Sequence, residues 1–217
     1  MMNQPVRIIT GKDKTSFGGS QSWFGDKLLR NSGCGIVAGL DAVLRLAGIE
    51  ELDKADYSEK LTGAAGFIVP ITFKFFRKPF NVRGREFLGS IGVSAGRFKR
   101  GIRKLGENMG LKLRVQTIHG RRKAALDKAV AAAGEGLPVI MLIRAPLFNV
   151  TLTSSDGKRH ETVGFHWVTI TGSCSENGNG AAGDYIEVSS WGGKYLISRS
   201  DLQGKLVGTK LYIVSRL

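Results

Sequence analysis

Asn31-Ser32-Gly33-Cys34-Gly35-Ile36-Val37-Ala38-Gly39-Leu40-Asp41-Ala42-Val43-Leu44-Arg45-Leu46-Ala47-Gly48 is the stretch on which the fold reading turns. Ile36, Val37, Leu40, Val43, Leu44 and Ala47 recur at spacings of three and four, which lays them along one face of an α-helix. Asn31-Ser32 offers an N-cap, Gly33 an entry turn and Gly48 a stop. Cys34 therefore falls in the first turn of this helix, not in its interior.

Upstream, Met1 to Gln21 is polar and Gly/Ser-rich, which predicts an extended or loosely ordered arm, and Ser22 to Arg30 is a short amphipathic stretch. Downstream, Ser58 to Ala65 reads as a second helix, and Gly66 to Phe80 is open between helix and strand. Ser94 caps a further helix with Phe98, Ile102, Leu105 and Met109 on one face. Leu111 to Ile118 alternates as a half-buried strand, and Lys123 to Ala133 is an Ala-rich helix. After Gly136 the pattern changes to strands: Val139 to Ile143, Val150 to Thr153, Thr162 to Thr171, Tyr185 to Ser189, Lys194 to Ile197 and Leu211 to Val214, with a capping box at Ser200-Asp201-Leu202-Gln203. Helices first and an antiparallel sheet second argue for an α+β fold.

At 217 residues with 42% apolar content, the chain is expected to form one domain over 1–217. Within it, 22–48 holds the Cys34 helix, 72–123 a basic helical insert and 137–217 the sheet. No run approaches the roughly 18 apolar residues of a membrane span, and no signal peptide is evident. The expected location is cytoplasmic, or outside the cell by a signal-independent route. Two cysteines, Cys34 and Cys174, make no disulfide framework, and with three His they exclude a Cys-rich zinc site. No cofactor or metal is called for.

The charge is unevenly spread. Lys and Arg number 32 against 18 acids, a net of +14. Thr72 to Lys123 holds fifteen Lys/Arg and two acids, hence +13 of that total, together with six of the eleven Phe. Lys74, Arg77, Lys78, Arg97, Lys99, Arg100, Arg103 and Lys104 form a candidate surface for an anionic partner. A membrane surface, single-stranded nucleic acid and an acidic polymer all suit such a segment. The oligomeric state stays open.

The chemistry centres on Cys34. The first turn of a helix presents unpaired N–H groups and the positive end of the macrodipole, both of which favour a thiolate. A thiolate needs a partner that takes the thiol proton and later protonates the leaving group. His166, on the alternating strand Val163-Gly164-Phe165-His166-Trp167-Val168-Thr169-Ile170-Thr171, is the candidate. Glu187-Val188-Ser189-Ser190-Trp191-Gly192-Gly193 lies one strand downstream, where a group that orients the imidazole could enter and a Trp could shield it. His119 and His160 sit beside basic runs and read as surface residues.

Taken in order, these segments resemble the papain-like cysteine peptidases. Asn31-Ser32-Gly33-Cys34-Gly35-Ile36-Val37-Ala38 is similar to the nucleophile motif of the bacterial bacteriocin-processing (double-glycine leader peptidase) branch, usually Asp-Cys-Gly-Pro-Ala. His166-Trp167-Val168-Thr169-Ile170-Thr171-Gly172 is similar to its His strand, and Ser189-Ser190-Trp191-Gly192 to its closing Asn-Ser-Trp-Gly or Asp-Pro-Trp-Gly. The resemblance implies a papain-like α+β fold, with an N-terminal helix carrying Cys34 packed on a C-terminal antiparallel sheet. It implies Cys34 as nucleophile, His166 as base and an orienting group at Ser189, where the family has Asn or Asp. Asp184 and Glu187 are alternatives for that position. The family's oxyanion amide, six residues before the nucleophile, falls here on Leu28, so the role passes to Asn31, the nearest amide; Gln21 lies farther off.

The function this implies is peptide or amide hydrolysis through a thioester. One alternative is a catalytically weakened or inactive papain-like scaffold that binds an anionic partner through the basic insert. A second is transglutaminase-like acyl transfer.

Overall fold

Val6 and Ile8 are fully buried, so of the two forms its composition allows the N-terminal segment takes the extended one, and it is packed, not loosely ordered. It forms a hairpin, β1 (Arg7–Gly11) and β2 (Lys14–Phe17), followed by a single 3-10 turn at Gln21–Trp23. The computed structural model describes residues 4–71, 80–82, 85–87, 92–145, 150–175, 184–205 and 209–217. Lys74, Arg77 and Lys78 lie outside the described residues.

Helix α1 (Lys27–Ser32) is capped by the Asp26 side chain, which accepts from the Leu29 N–H at 2.9 Å. It ends at Gly33, and α2 (Cys34–Leu46) starts there. Asn31 and Ser32 thus close α1 rather than cap α2; Gly33 takes the cap position and makes no side-chain bond. Next come β3 (Glu51–Asp53), which pairs in parallel with β1, and α3 (Lys54–Ala64). A two-stranded ribbon, β4 (Phe80–Val82) and β5 (Arg85–Phe87), precedes α4 (Ala95–Asn108). Ser94 caps α4 as its sequence predicts, accepting from the Arg97 N–H.

The rest of the chain builds the large sheet. Its strands are β6 (Leu113–Thr117), β7 (Val139–Arg144), β8 (Val150–Ser154), β9 (His160–Val163), β10 (Phe165–Cys174), β11 (Tyr185–Ser190), β12 (Gly193–Ser198) and β13 (Lys210–Arg216). Helix α5 (Arg122–Gly134) lies between β6 and β7, and α6 (Arg199–Lys205) between β12 and β13. The spatial order is β6-β13-β7-β10-β11-β12-β8-β9, and every recorded pairing is antiparallel. The fold is α+β. The Thr162–Thr171 stretch, read as one strand, is broken at Gly164 into β9 and β10.

Two cores cover the sheet. One joins α2, α3 and α4 to Ile140, Leu142, Trp167 and Tyr212; the other joins α5 to Met141, Val168, Ile170, Val188 and Ile197. Strand alternation makes this division, since neighbours on a strand face opposite ways. Trp167 locks the first core: its ring stacks on Phe98 at 4.0 Å and its indole N–H donates to the Val93 carbonyl at 3.0 Å. Helix α2 packs against β10, which brings Cys34 to the strand that carries His166. Among the described residues, no helix is long and apolar enough to cross a membrane.

Candidate active site

The site lies where β10 outruns its neighbour. Pairing of β10 with β11 begins at Thr169↔Ser189, so Phe165 to Val168 extend beyond it. Past Ser190, β11 turns at Trp191 (φ 48°) and Gly192 (φ 76°) into β12. The tip of α2 enters this gap. Cys34 is half-buried there, and the backbone N–H groups of Trp167, Gly35 and Cys34 favour its thiolate. Burial outweighs them and pushes the thiol's pKa up. This differs from the low-pKa thiolate expected of a helix start, because taking the charge out of water costs more than the helix tip's N–H groups and dipole return.

His166 lines the same cleft. It is 5% exposed, and burial lowers its pKa to about 3. Its ring stacks on Trp191 at 4.3 Å with an interplanar angle of 18°. Nε2 shares a 2.7 Å hydrogen bond with the Ser190 hydroxyl. Burial thus disfavours the charged form of both groups.

The ring's partner is Ser190, one residue on from Ser189, to which the resemblance assigns the orienting role. Ser189 also lines the cleft, but its hydroxyl donates to the Phe17 carbonyl at 2.8 Å. Successive residues of β11 point to opposite sides, and the ring stands on Ser190's side. Glu187 is engaged elsewhere: it accepts from the Thr171 hydroxyl at 2.7 Å and meets Lys194 at 3.5 Å. Asp184 is exposed.

Asn31 is exposed on α1 and does not line the cleft. Gln21 does. Its Nε2 donates one hydrogen to the Arg30 carbonyl at 2.8 Å, which leaves the second available, and its Oε1 is buried without a partner. The sequence places Gln21 thirteen residues before Cys34, too far for any fixed spacing to flag. The fold brings it in through the hairpin. The Phe17 N–H donates to the Gly192 carbonyl at 3.0 Å, the Ser16 hydroxyl donates to the same carbonyl at 2.9 Å, and the Gly18 N–H donates to the Val6 carbonyl at 2.8 Å. Segment 16–21 so becomes a strap across the end of the sheet.

Asp41 completes the lining, two helical turns beyond Cys34 on the face shared with Val37 and Ala38. It is 5% exposed. It accepts from the Tyr57 hydroxyl at 2.6 Å and from the Gly19 N–H at 3.1 and 3.3 Å, and burial raises its pKa to about 6 despite these bonds. The cleft is small, about 270 Å³ with its open mouth. Among the described residues, no group of three or more His, Cys, Asp or Glu could hold a metal ion. His119 and His160 are exposed, and Cys174 is half-buried far along β10.

A separate feature is the outer face of α4. Arg97, Arg100, Arg103 and Lys104 are exposed, while Lys99 is half-buried and bonds the Thr117 hydroxyl at 3.4 Å. Among the described residues, no carboxylate pairs with any of the five. Phe98, Ile102 and Leu105 are turned into the core.

Compared with protein-family models and with curated proteins, the chain has no match.

Proposed function

We propose that the chain is a cysteine-dependent amide or peptide hydrolase of papain-like design. The observation that carries this reading is the single cleft lined by Cys34, His166, Ser190, Trp191 and Gln21. As the Cys34 sulfur attacks the carbonyl carbon, His166 takes the thiol proton and a C–S bond forms. The oxyanion is held by the Cys34 backbone N–H and the second hydrogen of Gln21 Nε2. Collapse breaks the C–N bond, and the His166 proton leaves with the amine. Water, deprotonated by the same ring, then attacks the thioester carbonyl; the C–S bond breaks, the acid leaves and the ring returns its proton to the Cys34 sulfur. Ser190 holds the ring without adding a negative charge, and Trp191 keeps water from its face. Such a site is slower than one with Asp or Asn on the ring.

The test is acetylation by p-nitrophenyl acetate in a Cys174→Ser background. Rapid acetylation of Cys34, abolished in Cys34→Ser and strongly reduced in His166→Ala, supports the reading. Acetylation no faster than that of a free cysteine in solution refutes it.

The cations of α4, which pair with no carboxylate among the described residues, favour a second reading, an anionic partner bound on that face. With the helix's apolar side buried, this helix has nothing to insert into a bilayer, so the contact would be electrostatic. Binding of heparin or oligonucleotide should weaken steeply with salt and survive Cys34→Ser. If charge reversal of Arg100, Arg103 and Lys104 leaves binding unchanged, this face is not the contact.

A further inference from the structure

We infer that Asp41 is a positioning residue that sets the oxyanion donor Gln21 through the backbone of the strap. This rests on the hydrolase reading above. Asp41 and Tyr57 form one bonded pair, and that pair holds the chain on both sides of Gln21. On one side, the Gly19 N–H donates to the Asp41 carboxylate, two residues before Gln21. On the other, the Trp23 ring packs edge-on against the Tyr57 ring at 5.6 Å, two residues after it. The turn that carries Gln21 is thus suspended between two anchors on a common support.

The fit is close. A side chain at Gly19 would place its Cβ 1.9 Å from the Tyr57 hydroxyl oxygen, and one at Gly18 (φ 72°) would place it 2.5 Å from Asp41 Oδ2 and 2.7 Å from the Ser189 hydroxyl. The strap therefore threads between α2, which bears the nucleophile, and β11, which bears the imidazole's partner. A carboxylate buried at this point is destabilising, as the rise of its pKa shows. Packing alone is met better by an apolar side chain. What the carboxylate supplies is an acceptor for both Gly19 and Tyr57, held on the same helix as Cys34, so that donor and nucleophile share one rigid frame.

The test separates acyl transfer from simple alkylation at Cys34, in the Cys174→Ser background. Acetylation by p-nitrophenyl acetate develops an oxyanion; alkylation by iodoacetamide does not. Gln21→Ala and Asp41→Ala should each slow acetylation on the order of a hundred-fold, the range for loss of one oxyanion donor, with alkylation changed only a few-fold. The double variant should be no slower than the slower single, because both act on one interaction. Asp41→Asn keeps an amide oxygen for Gly19 and Tyr57 and should recover most of the rate. Tyr57→Phe, which removes one bond from the pair and keeps the ring under Trp23, should slow acetylation about ten-fold, and serves if Asp41→Ala does not fold. The inference is overturned if Gln21→Ala slows acetylation while Asp41→Ala and Tyr57→Phe do not, if the two losses multiply, or if the Asp41 variants slow both reactions alike. If the parent Cys34 is not acetylated faster than a free thiol, the hydrolase reading itself falls and takes this one with it.

Discussion

Replacing Asp41 with Asn should change stability in a pH-dependent way whose sign follows from burial. The Asp41 pKa stands at about 6 in the folded protein against an ordinary 3.8. Between those values the native state holds a proton that the unfolded chain has lost. Its contribution is therefore fully present below about pH 3.8 and is lost as pH rises through about 6. The full span, 2.2 pH units, corresponds to about 3 kcal/mol. Asn carries no such proton. Relative to the parent, the variant should gain roughly 2–3 kcal/mol between pH 4 and pH 7.

His166 works in the opposite direction. Its pKa falls from 6.5 to about 3, so the stability it contributes is present above pH 6.5 and is lost as pH falls toward 3. From pH 6 to 4 the two slopes oppose each other, and their sum is nearly flat in the parent. The Asn variant exposes the His166 slope, about 1.4 kcal/mol per pH unit. Urea unfolding followed by tryptophan fluorescence, at half-unit steps from pH 4 to 7, measures the difference; the other carboxylates are common to both proteins and cancel. A relative stability that stays constant over this range, or falls as pH rises, refutes the reasoning. It would mean that Tyr57 and Gly19 stabilise the anion more than burial penalises it.

Four further outcomes are expected. Gly19→Ala must displace the Tyr57 hydroxyl or the strap, and should lower stability by about 1–3 kcal/mol, the usual cost of overpacking, read as a fall in the urea midpoint. Ser190→Ala leaves the His166 Nε2 buried without a partner and should cost about 1–3 kcal/mol while slowing Cys34 acetylation. Ser189→Ala frees the Phe17 carbonyl and should affect stability more than the imidazole's proton transfer, so a larger acetylation loss in Ser189→Ala than in Ser190→Ala would contradict the assignment of the ring's partner. Alkylation of Cys34 by iodoacetamide should rise with pH later than that of an exposed thiol, since burial raises its pKa; a midpoint below pH 8 would show that the helix start dominates after all.

Local pattern made several parts of this molecule legible. The apolar spacing from Ile36 to Ala47 defines α2, and with it the position of Cys34 at a helix tip. Period-two alternation defines β10 around His166 and separates Trp167 from Val168 and Ile170 into different cores. The Gly33 cap was harder to see, because Asn31 and Ser32 carry cap-forming side chains yet end the preceding helix. Asp41 is also marked in the sequence, as a charge seven residues after Cys34 on the same helical face. Polar composition hid the β1–β2 hairpin, whose buried side chains are few.

The amino-acid sequence by itself determined α2, α4, α5 and most strands of the large sheet, because hydrophobic period and capping act over a few neighbours. It also determined the concentration of positive charge in the middle of the chain. Tertiary structure alone decided that Gln21 rather than Asn31 stands in the cleft, that Ser190 rather than Ser189 holds the imidazole, and that burial outweighs the helix start at the Cys34 thiol. Each of these depends on groups distant along the chain, the strap from β2, the register of β11 on β10 and the burial of the α2 tip. Contacts and desolvation of that kind arise only when separate elements pack.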